Sequence, residues 1–219
     1  MKTTACWFLL FATLLASALA QSPKFTLIAG KTDADGFPLI GASFCLESAK
    51  RACFQMPDLR NSDVTYQFGL EPHARALPQT GARTWFLFDA MFSGGGSGTL
   101  TRYAILGADN GHIVNVLPDV ALTNASEYAI WTNLKLSPYP ILVTADFDWD
   151  IASGETHFAK HHYFVSVWRF NSKRNLYTKA LSYRTAKKYD SLDDADTINV
   201  IAPEHPEILR RLTTLTTNP

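Results

Sequence analysis

The chain has 219 residues, 47% of them hydrophobic, and its 20 basic side chains balance 20 acidic ones. That is enough apolar material for one self-sufficient core, so a single domain is expected. Zero net charge without a basic stripe lacks the attraction that supplies most nucleic-acid affinity, and nucleic acid is not an expected partner.

The N-terminus carries Lys2, an apolar run from Trp7 to Leu15, and small residues at Ala18 and Ala20 around Leu19. This tripartite pattern predicts a signal peptide over 1–20, cleavage after Ala20, and a secreted or periplasmic mature chain beginning at Gln21. The apolar run is shorter than the roughly 18 residues a membrane-spanning helix needs, and no later run reaches that length, so membrane insertion is not expected. Loss of Lys2 with the leader leaves a net charge of −1.

From Lys24 onward, β-branched and aromatic residues come in bursts separated by Gly, Pro, Asn and Asp, the pattern of strands joined by turns. The runs are Phe25–Ala29, Ile40–Leu46, Val64–Leu70, Thr84–Phe92, Thr99–Leu106, His112–Leu117, Glu127–Thr132, Ile141–Ile151, Thr156–Phe170 and Leu176–Arg184. About ten such strands predict an all-β, mainly antiparallel sandwich or meander spanning 21–212. Cys45 and Cys53, the two cysteines left after cleavage, flank a short polar stretch and are each next to a phenylalanine. In an exported chain this spacing predicts a disulfide that staples a short hairpin or loop. Asp109-Asn110-Gly111 supplies residues that accept positive φ and predicts a hairpin between the strands on either side. Asn171 to Asn175 should turn one long strand back into the next, completing a three-stranded meander from Ile141 to Arg184.

After the last strand, Pro203, Glu204 and Glu207 precede Ile208, Leu209, Arg210, Arg211 and Leu212. Proline and acids at one end with cations at the other predict a short C-terminal helix. Residues 213–219 lack periodicity and are expected to form a flexible tail.

The most suggestive chemistry lies in the segment from Ala145 to His162, where Asp146, Asp148 and Asp150 alternate with apolar residues and so share one strand face. A hairpin loop at Ile151 to Gly154 would set Asp148 opposite His157, Asp146 opposite Ala159 and Thr144 opposite His161, with Phe147 against Phe158. Asp146, Asp148, His157 and His161 would then form a candidate site for a divalent metal such as zinc or manganese. A solvated face in which these groups pair with one another is the structural alternative.

Other motifs are incomplete. Lys31 to Gly36 alternates acids before a glycine, but lacks the third acid and distal glutamate of a calcium loop and reads as a turn. Ser93 to Gly98 lacks the lysine of a phosphate loop and the last glycine of a nucleophile elbow. No serine sits in a motif that would expose and activate it. Trp131 and Tyr139 bracket a proline-containing connection and are candidate ligand-binding residues. Asn124-Ala125-Ser126 fits an N-glycosylation acceptor in a eukaryotic source.

The expected function is accordingly an exported, non-enzymatic β-sandwich binding module for a protein or glycan ligand. Two alternatives are a metal-binding protein or metal-dependent hydrolase using the Asp/His face, and a carbohydrate or cell-envelope binding module.

Overall fold

The computed structural model describes residues 24–35, 38–47, 52–56, 69–80, 83–93, 99–109, 111–118, 120–123, 126–132, 137–148, 156, 159–190 and 198–217. Among them run fourteen strands and one helix, and every strand pairing is antiparallel. The expected all-β fold with a C-terminal helix is what forms.

An N-terminal sheet contains β1 (Phe25–Ile28), β4 (Ser43–Leu46) and β5 (Ala52–Gln55), in the order β1-β4-β5. A two-stranded ribbon, β2 (Lys31–Thr32) with β3 (Pro38–Ile40), leads into it. The central sheet has the order β10-β8-β7-β6, using β6 (Glu71–Thr80), β7 (Arg83–Ser93), β8 (Thr99–Asp109) and β10 (Val120–Thr123), while β9 (His112–Asn115) pairs with the far end of β8. The C-terminal sheet runs β11-β12-β13-β14, from β11 (Glu127–Trp131) through β12 (Ile141–Phe147) and β13 (Tyr163–Asn171) to β14 (Leu176–Arg184). Helix α1 (Ile201–Thr217) closes the chain.

The two-residue period of the strands sorts these elements into layers. Along β7, Phe86, Phe88 and Ala90 face the N-terminal sheet and pack with Phe44, Leu46 and Met56. The intervening Trp85 and Leu87 face the C-terminal sheet and pack with Leu142 and Tyr177. The other side of the C-terminal sheet, with Ile141, Val143, Ala145, Val165 and Val167, is covered by Val200, Ile201, Ile208 and Leu212. The order through the molecule is therefore N-terminal sheet, central sheet, C-terminal sheet, helix.

The predicted turns form for the expected reasons. Gly111 takes φ of 80° between β8 and β9, and Asn175 takes φ of 51° between β13 and β14, where Asn171 Oδ1 accepts the Lys173 and Arg174 amides. Cys45 and Cys53 are direct cross-strand partners in β4 and β5, with sulfurs at bonding distance, 2.06 Å. Strand β6 escapes sequence reading because Pro72 and Pro78 interrupt it; as the outer strand of the central sheet it tolerates residues that cannot donate to a ladder. Most of the expected strand Val64–Leu70 lies outside the described residues.

Two expectations change. The β12–β13 register sets Thr144 opposite Ser166, Asp146 opposite Phe164 and Phe147 opposite Tyr163, not opposite His161, Ala159 and Phe158. The slip is an odd number of residues, so it exchanges the two faces of β13. The observed register wins because it aligns Val143, Ala145 and Phe147 with Val167, Val165 and Tyr163, one continuous apolar face beneath the helix. The helix also begins earlier and ends later than expected, at Ile201 and Thr217. Arg210 and Arg211 therefore lie inside it, and the Thr213 and Thr214 hydroxyls donate to the Leu209 and Arg210 carbonyls one turn back.

Candidate functional site

Separate partners engage the residues expected to gather around a metal. The Asp146 carboxylate accepts from the Thr123 hydroxyl at 3.2 Å and from Ser126. Asp148 accepts from Arg184 Nε at 2.5 Å. His161 is fully buried, packs edge-on to Phe147, and its Nε2 lies 3.1 Å from the Thr156 carbonyl. His157 lies outside the described residues. Among the described residues no group of three or more His, Cys, Asp or Glu is placed to hold a metal ion. The repulsion implied by alternating aspartates is relieved for Asp146 by hydroxyls and for Asp148 by a guanidinium.

Trp131 and Tyr139, the candidate ligand-binding aromatics, both pack inward. Trp131 meets the His205 ring at 4.8 Å beside the helix. Tyr139 sits between Trp85 and Phe170, with ring centroids 5.9 and 4.7 Å away.

A different cluster forms where the end of β14 and the segment after it meet α1. Thr185 pins that segment: its amide donates to the Tyr163 carbonyl, and its hydroxyl accepts the Tyr163 amide and donates to the Lys187 carbonyl. Tyr189 then pairs through its backbone with His161 in both directions, at 2.9 and 2.8 Å. Across from it, the helix is anchored by Glu127 of β11, whose Oε2 accepts the Val200 and Ile201 amides at 2.6 and 2.8 Å. A carboxylate there satisfies donors that lack intrahelical partners and faces the positive end of the helix dipole. Pro203 is tolerated in this first turn because its missing N–H would have no intrahelical partner.

Between these walls lies a cleft of about 390 Å³. Glu204, only 8% exposed, forms its inner side, accepting the Tyr183 hydroxyl at 2.8 Å on one oxygen and the Tyr189 hydroxyl on the other. Burial, with the nearby Glu204 carboxylate, pushes both phenols well above the ordinary tyrosine range. The Arg211 guanidinium lies over the Tyr183 ring, 4.2 Å from its centroid.

At the rim, Glu207 Oε1 accepts from Arg210 Nη2 and Arg211 Nε at 2.7 and 2.6 Å, while Oε2 accepts from Arg210 Nε at 2.7 Å. These bonds, Arg210 first and Arg211 second, hold the Glu207 carboxyl at about 2. Lys187 and Arg184 complete the cationic lining. Arg184 is paired with Asp148, whereas Lys187 is exposed and forms no ion pair among the described residues. Chemically, Glu204 is enclosed by two phenols, and the outward groups are the charged donors Lys187, Arg210 and Arg211 with the Glu207 carboxylate accepting from the two arginines.

A second polar cluster crosses the central sheet. His73, Asp89 and Tyr103 are direct cross-strand neighbours on β6, β7 and β8, with His73 Nδ1 3.3 Å from Asp89 Oδ2. Tyr103 meets Tyr128 of the C-terminal sheet at 4.9 Å. Burial raises the Asp89 carboxyl above its ordinary value, outweighing the opposing pull of His73 and Arg75.

Sequence reading found neither cluster. The cleft joins Tyr183 to Glu204 across a turn whose path has no local signature. The His73–Asp89 pair depends on β6, which its prolines disguise. The one available signal was Glu204 and Glu207 followed by two arginines, which reads equally well as ordinary helix-end charge.

The described residues form a layered antiparallel β protein with a cleft between β14 and α1. No family model, curated protein or solved structure matches the chain.

Proposed function

We propose that this protein is an exported, non-catalytic binding module that seats its ligand in the cleft between β14 and α1. The observation that carries the reading is a cleft of about 390 Å³ whose walls are fixed by internal bonds. That volume lies in the range of small-ligand sites, and pre-formed walls reduce the ordering cost of binding. Export rests on the leader that ends at Ala20, and a cross-strand cysteine pair suits an oxidising compartment. N-terminal sequencing of the secreted protein should begin at Gln21.

The reading is tested by amide hydrogen exchange during a ligand screen. A ligand that binds should slow exchange in residues 183–190 and 203–211. Protection confined to another face by every binder found would move the site elsewhere. The Asp146, Asp148, His157 and His161 metal reading has less support, because two of its carboxylates already have other partners. It predicts stoichiometric zinc or manganese in the purified protein, measurable by elemental analysis.

A further inference from the structure

We infer that the ligand of this cleft is a small oxyanion bearing a phosphoryl or carboxylate group, and that Glu207 occupies the position of that group until the ligand displaces it. The inference rests on the cleft being the ligand seat. Four basic side chains line it against two carboxylates. Glu204 is turned inward onto Tyr183 and Tyr189, and Arg184 is held by Asp148. This leaves Lys187, Arg210 and Arg211 as the outward cations, and Glu207 is the carboxylate that collects two of them.

The geometry of that collection is what a bound anion would reproduce. Arg210 presents two parallel donors, the fork that matches a carboxylate or phosphate, and Arg211 adds a third bond to the same group. Glu207 is about one-third exposed, so water and solute reach it. The side chain that brings the anion is tethered one turn away on the same helix, within reach of both guanidiniums. Lys187, on the opposite wall, has no carboxylate among the described residues and supplies the charge that Glu207 does not satisfy. A sugar held mainly by ring stacking fits less well: Tyr183 is 9% exposed and Arg211 covers its ring.

A purely structural role for the same contacts exists, since acid–arginine pairs three and four residues apart stabilise helices modestly. The two roles predict opposite consequences of one substitution. If Glu207 mimics the ligand, Glu207→Gln frees both arginines and binding tightens. If it only braces the helix, Glu207→Gln leaves affinity unchanged or lowers it.

The experiment is calorimetric titration of the full mature chain with inorganic phosphate, succinate and neutral glucose, with amide exchange mapping each site. Phosphate and succinate should bind in the cleft, glucose should not, and Glu207→Gln should tighten the anions about tenfold. Lys187→Ala should weaken them at least threefold and Lys187→Glu should abolish binding; Lys187 lies outside the helix, so this arm stands even if Glu207→Gln disturbs α1. Stronger binding of phosphate assigns a phosphoryl ligand, and stronger binding of succinate a carboxylate. Unchanged or weaker anion binding by a folded Glu207→Gln protein overturns the inference. So does anion binding indifferent to both Lys187 variants. Glucose bound in the cleft with both anions excluded would overturn the oxyanion class while leaving the seat intact. Anion binding mapped wholly outside the cleft would remove the seat itself.

Discussion

The two outer layers are attached to the molecule by different physics. The N-terminal sheet is held to the central sheet by an aromatic core: Phe44 lies 5.0 Å from Phe25, 4.8 Å from Phe86 and 6.0 Å from Phe88, and the staple between Cys45 and Cys53 closes the hairpin behind it. The helix at the opposite side buries Ile201, Ile208 and Leu212, with Val200 just before it, but is positioned by two carboxylates. Glu127 takes its first amides, and Glu204 receives phenols from two places on the sheet side. Apolar contact supplies cohesion and little direction; a charged hydrogen bond fixes position to a fraction of an ångström. The side that carries the cleft is the side that uses carboxylates.

That contrast can be broken at either end. Phe44→Ala should produce the largest loss, about 3–5 kcal/mol, because a fully buried ring leaves a cavity among close-packed neighbours. Urea unfolding measures it, and a loss below 1 kcal/mol would show that the aromatic core is not what holds this layer. Removing the staple with Cys45→Ala and Cys53→Ala together should cost roughly 2–3 kcal/mol by releasing the unfolded chain. Unchanged urea stability of the double variant would contradict that value. On the helix side, Glu127→Ala should cost about 1–2 kcal/mol, and its signature should be local: faster amide exchange at Val200 and Ile201 before any change in the N-terminal sheet. Uniform loss of protection would mean the helix and the distant layer unfold as one.

The smallest expected effect is a sign. Burial raises the Asp89 carboxyl in the folded state, with His73, Arg75, Tyr103 and Tyr128 around it. A group raised on folding gives its full contribution below its unfolded value of about 3.9 and loses it as pH rises through the folded value. Asp89→Asn should therefore be slightly more stable than the parent at pH 7, with the advantage vanishing below about pH 4. Melting temperatures of both proteins across that range decide it, and a less stable Asp89→Asn at pH 7 would show that the His73 pair outweighs burial.

The same contrast explains what could be read from the sequence. Alternation along Thr84–Phe92 and Thr99–Leu106 announced β7 and β8, and Asp109-Asn110-Gly111 announced the turn to β9, because period and turn chemistry are local properties. The cysteine pair was legible for the same reason. The β12–β13 register was not: it was decided by the helix, which favours an apolar face under Ile208 and Leu212 over a local Phe147–Phe158 match. The cleft was equally hidden, since Tyr183, Lys187, Glu204 and Glu207 acquire their meaning only after the helix folds back onto β14.

The reach of Glu127 to residues 73 and 74 positions later also sets an order of events in time. At roughly 5–20 residues per second, synthesis of that interval takes about 4–15 seconds. The strands of the C-terminal sheet are all made before the helix that covers them exists, and among the described residues Ile201, Ile208 and Leu212 of that helix are what buries much of their apolar face, from Ile141 to Val167. A chain stopped before Val200 would retain that open face as a surface for association with other chains. The last helix is thus the step that turns a sticky sheet into a closed molecule, and the same step creates the cleft.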